Sequence, residues 1–120
     1  MKTKKKDFDI FRKECRRLID DWELNGWSVR FEHKNIGNRE AAMSVNGEDY
    51  NATIALNTEL EFGSFKEEKR KIAYLKELAK HETIHLLLGR LSYCGECRWV
   101  TDSEFNEAEE ELVRKLIKII

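Results

Sequence analysis

The sequence predicts a small α+β domain, and three observations carry the prediction. Apolar residues recur at helical spacing near the N-terminus, alternate strictly through the middle of the chain, and return to helical spacing in the second half. At 120 residues the chain can enclose one hydrophobic core but not two, so residues 1–120 are assigned to a single domain.

The opening Met1-Lys2-Thr3-Lys4-Lys5-Lys6 is a basic run, and residues 1–6 are expected to be a solvated, disordered tail. Phe8, Phe11, Cys15, Leu18, Ile19 and Trp22 then mark one face of an amphipathic helix, with Asp7 as its N-cap and Asn25-Gly26 near its end. Cys15 lies on that stripe, where a free thiol packs as a small apolar residue. Next, Trp27, Val29 and Phe31 alternate with Ser28, Arg30 and Glu32, the pattern of a half-buried strand. His33 prolongs its inward face and is read as a strand-end histidine. Residues 41–45 and 48–56 flank Asn46-Gly47, the dipeptide that favours a two-residue type I′ turn, and so form a hairpin. In its second strand Ala52, Ile54 and Leu56 share one face with Tyr50, and Asn51, Thr53 and Ala55 share the other. A short antiparallel sheet of about three strands is expected.

Ser64-Phe65-Lys66-Glu67 has the form of a capping box, opening a helix that spans about Phe65 to Leu88, with Gly89 as a left-handed stop. Ile72, Leu75, Ala79 and Leu86 form its apolar stripe, widened by Leu78, Ile84, Leu87 and Leu88. A helix so broadly apolar belongs at the centre of the fold and gives its polar residues a sheltered setting. Thr101-Asp102-Ser103-Glu104 opens a last helix in the same way, running nearly to Ile120.

Composition narrows the function. The net charge of −1 argues against a protein built around nucleic acid. No apolar run approaches the ~20 residues of a membrane span, and the N-terminus lacks the apolar stretch of a signal peptide. Three cysteines supply no disulfide framework, so the cytoplasm is the expected compartment.

Within the central helix stands His81-Glu82-Thr83-Ile84-His85, which uses two of the three histidines. Four residues of helix put both imidazoles on one face, where they can chelate one zinc ion, with Glu82 alongside as general base for bound water. A catalytic zinc needs a third protein ligand and a fourth position left to water. The last helix offers Glu104, Glu107, Glu109, Glu110 and Glu111. Its apolar stripe is Phe105, Ala108, Leu112, Leu116 and Ile119, and of the five carboxylates Glu109 lies closest to it, beside Leu116. A carboxylate turned into a core is costly unless paired or metal-bound, which makes Glu109 the choice. Glu107, in an Asn-Glu-Ala like the one that carries thermolysin's glutamate ligand, and Glu110 are the alternatives. Oxyanion stabilisation calls for a further donor, with Tyr50 and Tyr93 as candidates. Cys94-Gly95-Glu96-Cys97 is a lone C-x-x-C and reads as loop thiols, because structural zinc takes four ligands.

The motif with its following leucines, together with Glu109-Glu110-Glu111-Leu112-Val113-Arg114-Lys115-Leu116, resembles the small phage- and prophage-encoded metallopeptidases. These are minimal gluzincins, zincins whose third ligand is a glutamate on a later helix. The likeness covers roughly Trp27 to Leu116, and Asn51-Ala52-Thr53-Ile54-Ala55-Leu56 is similar to the zincin edge strand. It implies a zincin-like domain: an N-terminal helix, a short antiparallel sheet, the active-site helix and a glutamate helix. It also implies zinc held by His81, His85 and Glu109, with an extended peptide added antiparallel to the edge strand as substrate. Two other functions fit the same residues: a SprT-like or repressor-cleaving zincin, and a non-catalytic zincin-fold interaction protein of a mobile element.

Overall fold

The computed structural model describes residues 3–46, 49–60 and 67–89, together with Ser103, Asn106, Glu109, Glu110, Val113 and Leu116. The order is α1 (Lys5–Asp21), β1 (Ser28–Lys34), β2 (Ala41–Asn46), β3 (Asn51–Asn57) and α2 (Glu68–Leu87), and the described residues between 103 and 116 are helical. The class is α+β, as the change of period predicts.

α1 buries Phe11, Cys15, Leu18 and Ile19, the expected stripe. Its start differs from expectation. Asp7 is the third helical residue, and its Oδ2 accepts from the Lys4 backbone N–H at 2.8 Å, so it caps from inside the first turn. The solvated tail is also corrected: Lys5 and Lys6 are helical, and Thr3 is buried, donating through its hydroxyl to the Asn57 carbonyl at 2.7 Å. With that proton spent, Thr3 Oγ1 accepts from His33 Nε2 at 2.6 Å. Phe8 stacks on the same imidazole, so His33 is held as a structural residue at the strand end.

The sheet is mixed, in the order β1-β3-β2, and not wholly antiparallel. β2 and β3 form the expected antiparallel hairpin, but β1 lies parallel to β3, with Phe31 beside Ile54 and His33 beside Leu56. The hairpin loop is also longer than a two-residue turn. Asn46 pairs with Asn51, leaving residues 47–50 to connect them, of which Gly47 and Glu48 lie outside the described residues. β3 is therefore the central strand, and β2 takes the edge that the likeness assigned to β3.

Both helices pack on one face of the sheet. Phe11 and Cys15 of α1, Ile54 and Leu56 of β3, and Leu75 and Ala79 of α2 make one core cluster, while Ile19, Ala52 and Leu86 make a second. An ion pair from the half-buried Lys71 Nζ to the buried Asp7 Oδ1, at 3.0 Å, ties the first turns of the two helices. α2 begins at Glu68 after Glu67, with no side-chain cap, so it starts later than the proposed capping box; Ser64 to Lys66 lie outside the described residues. Gly89 is not a left-handed stop, since Gly37 is the positive-φ glycine among the described residues. A Cβ on Gly89 would stand 3.2 Å from the Trp27 ring and 3.3 Å from Val45, so glycine lets these two side chains pack closely against the end of α2.

Candidate metal centre

The histidine pair owes its geometry to helix period alone. α2 runs unbroken from Glu68 through Leu87, so His81 and His85 stand one turn apart on the same face. Their Nε2 atoms converge to 3.3 Å, with the rings edge to face and centroids 4.9 Å apart. Two nitrogens bound at 2.0–2.1 Å to one tetrahedral ion would be separated by about 3.3–3.4 Å, so the pair fits a shared zinc. Both rings are exposed, contrary to the sheltered setting expected from the helix's apolar girth. The helix is apolar on the faces turned to α1 and the sheet, and the histidines lie on the side it leaves open.

Glu82 is placed differently. It is buried, as are Thr83, Ile84 and Leu86 around it, while Thr83 turns its hydroxyl back onto the Ala79 carbonyl at 2.7 Å. Burial pushes the Glu82 carboxyl above its ordinary value, and the nearby charges of His81, His85 and Arg39 draw it partly back. A carboxylate so desolvated is a better proton acceptor than one in water.

These residues line a cleft of about 640 Å³ between α2 and β2, whose strand-side wall is Arg39 to Met43. Two contacts that sequence reasoning missed shape that wall. Tyr74, two turns before His81, donates its hydroxyl to Glu40; burial and then the Glu40 carboxylate push the phenol up to about 12. Asn57, the last residue of β3 and itself buried, holds the segment leading into β2. Its Nδ2 donates to the Gly37 and Arg39 carbonyls at 3.0 and 2.6 Å, and its backbone N–H donates to the Glu40 carbonyl at 3.0 Å. The connection from β1 to β2 must cross the end of β3, and Asn57 satisfies the backbone groups that crossing exposes. An asparagine closing an apolar strand was the only signal in the sequence.

A larger groove of about 800 Å³ lies between α1 and α2. Its charges answer one another: Arg17 bonds Glu14 at 2.6 Å and Asp21 at 2.9 Å, and it holds the Glu14 carboxyl below its ordinary value.

The third ligand position is less complete. Glu109 is helical and half-buried, and Glu110 is helical and exposed, while Glu107, Tyr93, Cys94 and Cys97 lie outside the described residues. Among the described residues no group of three or more His, Cys, Asp or Glu side chains is gathered to hold a metal ion. Tyr50, the other candidate donor, lies against Trp27 at the hairpin and does not line the cleft. Among the described residues no helix is long and apolar enough to cross a membrane. Comparison with protein-family models, curated proteins and solved structures finds no match for the chain.

Proposed function

We propose that the chain is a zinc-dependent peptidase acting in the cytoplasm of a cell that carries a mobile element. The observation that supports this best is the convergence of His81 and His85 Nε2 at 3.3 Å beside the buried Glu82, in a cleft bordered by a sheet edge. His81 and His85 would hold the ion, with Glu109 as the third ligand, supported by its half-buried place on a helical stretch. Bound zinc supplies Lewis acidity, polarising a peptide carbonyl and acidifying water.

The chain's own residues do the rest. Glu82 takes a proton from the attacking water and passes it to the leaving amine nitrogen as the C–N bond breaks. Substrate is held in extended form along β2. The bond from Asn57 N–H to the Glu40 carbonyl sets the ladder phase, so residues 42, 44 and 46 turn their backbone groups to β3. Ala41, Met43 and Val45 then present N–H and C=O groups on the opposite edge, and Ala41 and Met43 line the cleft. An added strand pairs with them antiparallel, the more stable arrangement.

The test is turnover of a denatured protein substrate with zinc present. Wild type is expected to cut it, and Glu82→Gln to lose at least about a hundred-fold in rate, the scale of a lost general base, with zinc content unchanged. Equal rates in the two proteins would refute the role of Glu82. No cleavage by either would turn the reading to the non-catalytic interaction protein.

A further inference from the structure

Among the described residues Arg39 is the one permanent cation lining the cleft, and its charge reaches Glu82 without a direct contact. Among the described residues it has no ion pair, and the carboxylate next to it, Glu40, accepts from the Tyr74 hydroxyl instead. Its position is fixed from behind, because Asn57 grips its carbonyl at 2.6 Å and the following carbonyl at 3.0 Å. A guanidinium on a clamped backbone at the end of a strand-binding edge is suited to receive a planar carboxylate by two parallel hydrogen bonds.

The direction of the cleft places that carboxylate in a substrate. β2 runs alongside α2 in the same sense, since Glu40 meets Tyr74 at one end and Val45 stands by Gly89 at the other. Seven residues of helix from Tyr74 to His81 span about 10 Å, or about three residues of strand. A peptide added antiparallel to β2 therefore points its C-terminal end at Arg39. We propose that Arg39 is the carboxylate anchor of this cleft, selecting peptides with an acidic group about two to four residues beyond the cleaved bond on its C-terminal side. The inference rests on the peptidase reading and on strand addition at β2. The acidic group is either an Asp or Glu side chain or the peptide's own C-terminus.

The test uses full-length Glu82→Gln protein, immobilised and supplied with zinc, to retain peptides without turning them over. Two degenerate octapeptide libraries are passed over it, one with free C-terminal carboxylates and one amidated, and the retained peptides are sequenced by mass spectrometry. Asp and Glu are expected to be enriched about ten-fold over Asn and Gln at one register, the worth of one charge-assisted contact. Adding Arg39→Gln should abolish the enrichment and Arg39→Lys should restore part of it. Enrichment of Asp and Glu in the amidated library assigns the side chain, and about ten-fold stronger retention of the free acids over the amidated peptides, without that enrichment, assigns the terminus. Finding neither Asp and Glu enrichment nor preferential retention of the free acids, or finding either of them unchanged by Arg39→Gln, overturns the proposal. Retained peptides that wild type fails to cut would count against the peptidase reading alone.

Discussion

Glu23 sits at φ 56°, in the left-handed region where a side chain costs about 1–2 kcal/mol. It is held there by the end of α1: its N–H donates to the Asp20 carbonyl, and Leu24 N–H reaches back to the Ile19 carbonyl at 2.8 Å. That is a Schellman closure with the usual glycine position filled by glutamate. Glu23→Gly is therefore expected to stabilise the fold by about 0.5–1 kcal/mol after the added chain entropy of glycine, read as a raised urea midpoint. A lowered midpoint would mean that the Glu23 side chain contributes more than its backbone costs. The chemistry-bearing residues His81, Glu82 and His85 were legible because helix period alone fixes their spacing, whatever the tertiary packing. Asn57 and Arg39 were not, because their roles arise from strand order, which no local pattern encodes.

At the scale of elements, the interface between α1 and α2 carries a titration that can be measured. Cys15 is buried between the helices, with Sγ 3.8 Å from the Ala79 carbonyl. Burial, helped by the charges of Glu82 and Glu14, pushes its thiol from 9.0 up to about 12. The folded state thus keeps a proton that the unfolded chain releases. The stability this contributes is complete below about pH 9 and is lost as pH rises towards 12. The advantage of wild type over Cys15→Ala should therefore shrink between pH 8 and pH 10.5, by up to about 1.4 kcal/mol per unit above the thiol's unfolded value. An advantage that stays constant across that range would show the thiol to be in contact with water. Sequence patterning found the helices and all three strands but misread the sheet. Alternation of Val29 and Phe31 looks the same in a strand that pairs parallel as in one that pairs antiparallel. The six residues after Lys34 gave no sign that they cross the end of β3.

For the whole molecule, one side of α2 is buried against α1 and the sheet, while the other carries two exposed imidazoles beside a buried carboxylate. The C-terminal stretch, with Glu109 half-buried on it, is the proposed source of the last ligand. Its choice from sequence rested on a helical wheel, which ranks faces but cannot say which of them meets the histidines. The most direct test of the account is the metal content per chain of protein purified without chelator, in wild type and in His85→Ala. About one zinc per chain is expected in wild type, falling to near zero in the variant, because His81 and Glu109 alone leave the ion two protein ligands in place of three. Wild type free of zinc after zinc is supplied, or zinc retained undiminished without His85, would contradict it.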